Sequence, residues 1–183
     1  MSLRIVGFAG SPSRPSKTRA LVELVTARAA AYLGASAATY DLSDLQPALG
    51  AAATLDDLDG GPRAIVAAIL SADALVVGSP VYKGSYTGLF KHLFDLIDPA
   101  ALAGKPVLLT ATGGGEKHAL VIEHQLRPLF GFFEAATLPT GVYASGADFI
   151  DGVPSSASLL ARTDRAVSQF STTVHRMATA AAA

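Results

Sequence analysis

The chain contains no cysteine. It can therefore build no disulfide framework, thiolate nucleophile, zinc–cysteine site or iron–sulfur cluster. Any redox chemistry must come from a bound cofactor. Charge is sparse: 16% of residues are charged, and 14 basic against 15 acidic residues leave a formal net charge of −1. That balance gives no sequence-independent pull on nucleic acid or on an anionic membrane surface. Long apolar runs are missing too. Stretches such as Ala72–Gly78 are strand-sized, well below the roughly 18–20 residues that span a bilayer. The apolar segment Ile5–Ala9 behind Met1-Ser2-Leu3-Arg4 is too short for the core of a signal peptide, so a cytoplasmic protein is expected.

What the chain has is apolar residues in short, regular pieces. At 183 residues, 50% of them hydrophobic, and with a mean hydropathy of +0.39, it fits one domain (1–183) with a large core and a sheet covered on both faces. Leu3–Ala9, Ala37–Leu42, Ala72–Ser79, Lys105–Ala111 and Leu138–Tyr143 read as strands. Ser16–Leu33, Gly60–Leu70, Thr87–Ile97, Lys117–Ala135 (interrupted by Pro128) and Ser155–Met177 read as helices. Ser43–Asp59 is a long connection with no clear pattern, and the Ala-rich end at 178–183 is expected to fray. Strands separated by helices imply right-handed parallel crossovers. The predicted fold is a flavodoxin-like three-layer α/β/α sandwich with a five-stranded parallel sheet in the order 2-1-3-4-5. In that order a ligand crevice forms at the carboxyl ends of strands one and three.

The loops after Ala9, Gly78 and Ala111 should then build one site. The first, Gly10-Ser11-Pro12-Ser13-Arg14-Pro15-Ser16-Lys17-Thr18, joins hydroxyls and backbone N–H groups to a helix start, which suits a phosphate. A Ser/Pro-rich turn with an N-cap would look the same. The loop lacks Gly-x-x-x-x-Gly-Lys-[Ser/Thr] and Gly-x-Gly-x-x-Gly, which argues against nucleoside triphosphate hydrolysis and a dinucleotide fold. The second loop, Gly78 to Gly88, offers Tyr82, Lys83 and Tyr86 beside close-approaching backbone. Its tyrosines could equally cover the sheet end. The third, Thr112-Gly113-Gly114-Gly115, leaves bare backbone over which a ring could slide. A phosphate at one end and a flat ring at the other outline flavin mononucleotide.

Gly10–Ser16, the block Gly78-Ser79-Pro80-Val81-Tyr82-Lys83-Gly84-Ser85-Tyr86-Thr87-Gly88-Leu89-Phe90-Lys91 and Ala111–Gly114 resemble the NAD(P)H-dependent FMN reductases. His118–Leu129 and Gly141–Ala144 bring the chain nearest to the reductases that serve two-component methanesulfonate and alkanesulfonate monooxygenases. The resemblance runs from Arg4 to about Arg176. It implies FMN as cofactor, NADPH or NADH as co-substrate, an FMNH2-dependent monooxygenase as partner, and a dimer or tetramer built through the third and fourth helices. Carried over by position, phosphate contacts would be Ser11, Arg14, Ser16 and Thr18, with Lys17 in the same loop. Ring contacts would be Pro80, Val81, Tyr82, Lys83 and Ser85, with Thr112, Gly113, Gly114 and Gly115 at the other edge. In the alkanesulfonate reductases an inserted tyrosine makes a π-helical bulge in the fourth helix. Here His124 stands at that place, within Ile122-Glu123-His124-Gln125.

The implied chemistry is hydride transfer, with the protein positioning the reactants. The nicotinamide would stack beside Thr112–Gly115, and backbone donors or Lys83 would face the flavin edge that gains negative charge. No side-chain acid or base is assigned. His118 and Glu116, just after the glycine loop, could touch the nicotinamide or the bulge, or simply face solvent at a helix start. His118 and His124 are the side chains to consider for a catalytic role, and their six-residue spacing is off one helical face, against a metal site. His92 reads as structural, and Phe90, Phe94, Phe130, Phe132 and Phe133 as core or subunit contacts. Two other functions fit the same outline. One is a flavin-bound reductase of quinones, azo dyes or metal oxyanions. The other is an electron carrier, which would want a more acidic docking face.

Overall fold

β1 (Arg4–Ala9) is apolar and fully buried after its first residue, as expected where both faces of a parallel strand are covered. The computed structural model describes residues 3–181. β1 pairs in parallel with β2 (Ser36–Asp41) on one side and β3 (Ala74–Pro80) on the other. β3 then pairs with β4 (Pro106–Gly113). The outer edge of β4 carries two pieces, β5 (Ala136–Thr137) and β6 (Val142–Ser145), both parallel to it. The predicted order 2-1-3-4-5 is present, with its fifth strand divided. Between registers Val107↔Thr137 and Thr110↔Val142, β4 advances less than its neighbour. The excess is taken up around Pro139, which has no N–H to give a ladder. The fifth strand therefore starts earlier and ends later than Leu138–Tyr143, reaching Ser145.

Two cores flank this sheet. On one face α1 (Lys17–Leu33) and the closing helix pack Leu21, Val22, Val25, Ala166 and Phe170 against Ile5, Val76 and Leu108. On the other lie α2 (Gly60–Ser71) and α3 (Gly88–Asp95). There Phe90 and Phe94 meet at a centroid distance of 4.8 Å, and Phe94 meets Phe130 at 4.9 Å, edge to face. Phe133 joins this core, but Phe132 is 70% exposed. The unplaced stretch after β2 forms short helical turns at Leu42–Leu45, Ala48–Ala51 and Leu55–Asp57. His92 ties the middle one to α3, its Nε2 lying 3.0 Å from the carbonyl oxygens of both Leu49 and Ala52.

The predicted helix over Lys117–Ala135 is three different things. Glu116–His118 is a 3₁₀ turn, Ile122–Leu126 is π-helical, and α4 is Arg127–Phe132. Pro128 does not interrupt α4. The backbone stays helical from the π-helical segment straight into α4, and Pro128 falls at the join, where it gives no N–H back to the π turn. After β6, Phe149–Ile150 and Val153–Pro154 form a small antiparallel hairpin (β7 and β8) that periodicity did not reveal. The closing helix, α5, runs Ala157–Ala181. Of the Ala-rich end at 178–183, residues 178–181 are helical and 182–183 lie outside the described residues. Among the described residues no helix is long and apolar enough to cross a membrane.

Candidate active site

The loops after β1, β3 and β4 meet at the carboxyl rim of the sheet and are tied together. Gly10 N–H donates to the Gly78 carbonyl at 2.6 Å, and Val81 N–H to the Thr112 carbonyl at 2.8 Å. Thr87 caps α3 through Phe90 N–H and gives its own hydroxyl proton to the Gly10 carbonyl at 2.9 Å. One residue thereby starts a helix and joins two loops. Thr18 and Thr112, in α1 and β4, place their hydroxyl oxygens 2.6 Å apart.

The first loop delivers α1 end-on to the crevice. Ser16 is its N-cap, accepting from Arg19 N–H. Among the described residues the backbone N–H groups of Ser11, Ser13, Arg14 and Ser16 have no protein acceptor. Pro12 and Pro15 have no N–H at all. A set of unpartnered donors at a helix start is an anion cradle. Ser11 is buried beside it.

Arg14, expected at a phosphate, is turned the other way. Its Nε and Nη2 grip the buried Asp41 carboxylate at 2.9 and 3.0 Å, and Nη2 reaches Asp44 at 2.6 Å. Arg19 binds the same pair. The Asp41 and Asp44 hydrogen bonds hold Arg14 even more firmly protonated than usual. Burial pushes the Asp44 carboxyl up, but the Asp41 backbone N–H and Arg14 outweigh it and bring it below the ordinary range. The charge Arg14 would offer an anion is already balanced. Lys17 is not so engaged: its ammonium lies 3.5 Å from the Gly146 carbonyl and 5.4 Å from the centre of the Phe149 ring.

In the second loop, Tyr82 and Ser85 exchange both backbone hydrogen bonds at 2.8 and 3.1 Å. The turn between them needs positive φ at two residues, and Lys83 (52°) and Gly84 (84°) provide it. The third loop starts later than predicted, because Thr112 and Gly113 are still paired, with Ala144 and Ser145.

These parts enclose a shallow groove of about 300 Å³, lined among others by Lys17, Pro80, Val81, Tyr82, Thr112, Gly113 and Gly114. Seven of the residues expected from sequence therefore share one surface. Ser11, Ser16 and Thr18 sit at the helix start. Ser85 is turned to Gln125 of the π-helical segment, at 3.0 Å, and Lys83 stands exposed at the tip of its turn. Gly115 gives its carbonyl to the Tyr143 hydroxyl. His118 and His124 do not line the groove, and His124 is exposed.

The remaining wall, Ser145, Gly146 and Phe149, comes from the loop after β6. Ending the fifth strand at Tyr143 hid it. The available signal was Ser145-Ala147-flanked Gly146 and Asp148, a capping box in which Ser145 N–H and Oγ reach the Asp148 carboxylate at 2.7 and 2.9 Å. Burial alone would raise the Asp148 pKa, but the bonds from Ser156 and Ser145 bring it down.

Fold and crevice together define a flavodoxin-like α/β protein, with donors for an anion at one end of the crevice and a glycine-edged groove at the other. The donor set, with its unanswered N–H groups, and the bare backbone at Gly113–Gly115 fit a flavin mononucleotide. The chain belongs to the NADPH-dependent FMN reductase family, whose model matches residues 3–149. It is 50% identical over 160 residues to the NADH-dependent FMN reductase SfnF of Pseudomonas fluorescens, covering 87% of this chain and 86% of that protein. It is 51% identical over 146 residues to the FMN reductase (NADPH) of Pseudomonas aeruginosa, covering 80% and 78%. The solved apo structure of the NADH:FMN oxidoreductase EmoB superposes with a TM-score of 0.80 at 32% identity, over 93% of this chain and 89% of that one. As a family member the protein is an oxidoreductase that uses FMN with a reduced nicotinamide as electron donor.

Proposed function

We propose that this chain passes electrons from NAD(P)H to FMN held across the crevice and releases the reduced flavin to a partner sulfonate monooxygenase. FMN supplies the hydride-accepting chemistry when bound. The observation that carries the reading is the meeting of unpartnered N–H groups at the start of α1 with the groove floored by Thr112 and Gly113. Ser11, Ser16 and the first-turn backbone hold the phosphate, with Lys17 supplying charge. Pro80, Val81 and Tyr82 line one edge of the ring, Thr112, Gly113 and Gly114 the other. Ser85 and Lys83 shape the turn beside it, and Gly115 borders the face that receives the nicotinamide. An adjoining cleft of about 540 Å³, which shares Ser145 with the groove, gives the rest of the dinucleotide a place.

Release to a partner is supported by the shallowness of the groove, whose rim residue Tyr82 is 51% exposed. The exposed Phe132 supports self-association as a dimer or tetramer through the α3 and α4 side. The test is an anaerobic titration with NADH and with NADPH at varied FMN, followed at the flavin absorbance. Free FMN should act as a saturable substrate. If added FMN leaves nicotinamide oxidation unchanged while a quinone speeds it, the protein is a flavin-bound quinone reductase instead. Sedimentation of the same sample reads the oligomer.

A further inference from the structure

The pair Thr18 and Thr112 does more than join two elements. The two residues are far apart in sequence, and their side chains are buried at 2% and 6% exposure. The family resemblance groups Thr18 with the phosphate contacts and Thr112 with the ring. The structure couples them instead, at 2.6 Å. Two hydroxyls carry two protons, and the contact between them uses one. Among the described residues neither oxygen has another hydrogen-bond partner. One O–H is therefore left without a protein acceptor in a buried place, where such a donor is costly and calls for one. Thr112 lines the groove and Thr18 does not. The free proton faces the groove when Thr18 donates to Thr112 and Thr112 donates onward.

We propose that Thr18 is a positioning residue for the ring end of the groove and not a phosphate contact: it fixes the Thr112 hydroxyl so that its proton points at an acceptor atom of the bound flavin. This rests on the reading that the groove holds FMN. The hydroxyl is thus a donor set in place before the ligand arrives, and its orientation depends on a helix that the ligand touches elsewhere.

The test compares FMN with riboflavin, which shares the ring and lacks the phosphate. Thr18→Val, Thr18→Ser, Thr112→Val and the double valine variant are titrated with each flavin by fluorescence, with melting curves alongside. Valine keeps the shape of threonine, and serine keeps the hydroxyl. Thr18→Val should weaken FMN and riboflavin by the same factor, about five- to tenfold. Thr18→Ser should recover both, and the double variant should be no worse than either single one. Loss of FMN with riboflavin unaffected would assign Thr18 to the phosphate and overturn the proposal. Additive losses, or unchanged affinity for both flavins, would overturn it as well. If the unsubstituted protein binds neither flavin, the FMN reading falls first and the assignment of Thr18 falls with it.

Discussion

The Tyr143 hydroxyl donates to the Gly115 carbonyl and lies so close under Gly113 that a methyl group there would come within 2.2 Å of it. Tyr143 is thus a prop beneath the glycine loop, and Gly113 is needed for space, not for flexibility. Burial raises the Tyr143 phenol pKa, helped by Asp148 and Glu116, so the donor stays protonated at any working pH. Gly113→Ala should force the tyrosine out, destabilise the fold by about 1–3 kcal/mol and raise the KM for FMN at least tenfold. Removing the hydroxyl leaves the ring carbon Cζ as the nearest atom, at 3.2 Å. The double variant Gly113→Ala, Tyr143→Phe should therefore melt higher than Gly113→Ala alone. Differential scanning calorimetry of the three variants decides it, and a double variant no better than the single one would refute the steric account.

The two cations of the first loop should behave differently. Arg14 is balanced by Asp41 and Asp44, whereas Lys17 makes only a long carbonyl contact and lies over the Phe149 ring. Lys17→Ala should weaken FMN about tenfold, the worth of one charge-assisted bond, with little effect on riboflavin, and flatten the salt dependence of FMN binding. Arg14→Ala should change FMN affinity less and the melting temperature more. Fluorescence titrations at two ionic strengths, with both flavins, read the contrast directly. Equal effects of the two substitutions on FMN would mean that Arg14 leaves its carboxylates when the ligand binds.

Arg14 is held by a partner that local sequence does not announce. Residue type and loop position put it near a phosphate, but its partner Asp41 ends β2, and only the parallel register of β1 with β2 brings them together. Contacts across strands are not written in local spacing. The strands themselves were legible because parallel strands buried on both faces give unbroken apolar runs, as in Ala74–Pro80. The rim rule for this topology then selected three of the four loops without any contact information. What failed was where local signals compete. Pro139 splits the fifth strand, which hid Ser145, Gly146 and Phe149. The segment Glu116–Leu126 has helical composition whichever hydrogen-bond period it adopts, so sequence could not tell a 3₁₀ or π turn from an α-helix.

Acid should loosen the first loop before the rest of the molecule. The Asp44 carboxyl is held below its ordinary value of 3.8. A carboxylate with a depressed folded-state pKa gives its stabilisation in full above the unfolded value, and loses it as the pH falls through the folded one. Stability should therefore be flat above pH 5 on this account and drop below about pH 4. In Asp44→Asn the drop should be shallower, with a lower plateau at neutral pH. Asp41→Ala should cost more at every pH, because it removes both the buried acceptor that caps the turn at Leu42–Leu45 and one of the two carboxylates shared by Arg14 and Arg19. Urea unfolding at pH 3.5 and pH 7 measures both, and an Asp44→Asn curve parallel to that of the parent would rule the mechanism out.

The bond from Ser85 Oγ to Gln125 Oε1 links the turn beside the groove to the π-helical segment Ile122–Leu126. A π turn spreads residues differently around the axis than an α turn does, and here it brings Gln125 within 3.0 Å of Ser85. The turn it holds already contains Lys83 at positive φ, a conformation that needs support from its surroundings. Gln125→Ala should free Ser85, raise the KM for FMN about three- to fivefold, the worth of one neutral hydrogen bond, and leave kcat at saturating FMN unchanged. Melting should shift by no more than about 4 °C. Gln125→Glu keeps an accepting oxygen for the Ser85 hydroxyl and should retain most of the affinity, while Gln125→Leu should match the alanine variant. Steady-state kinetics over a range of FMN concentrations separates the cases: a glutamate variant as impaired as the leucine one would show that the side-chain amide, and not the acceptor it offers Ser85, is what matters.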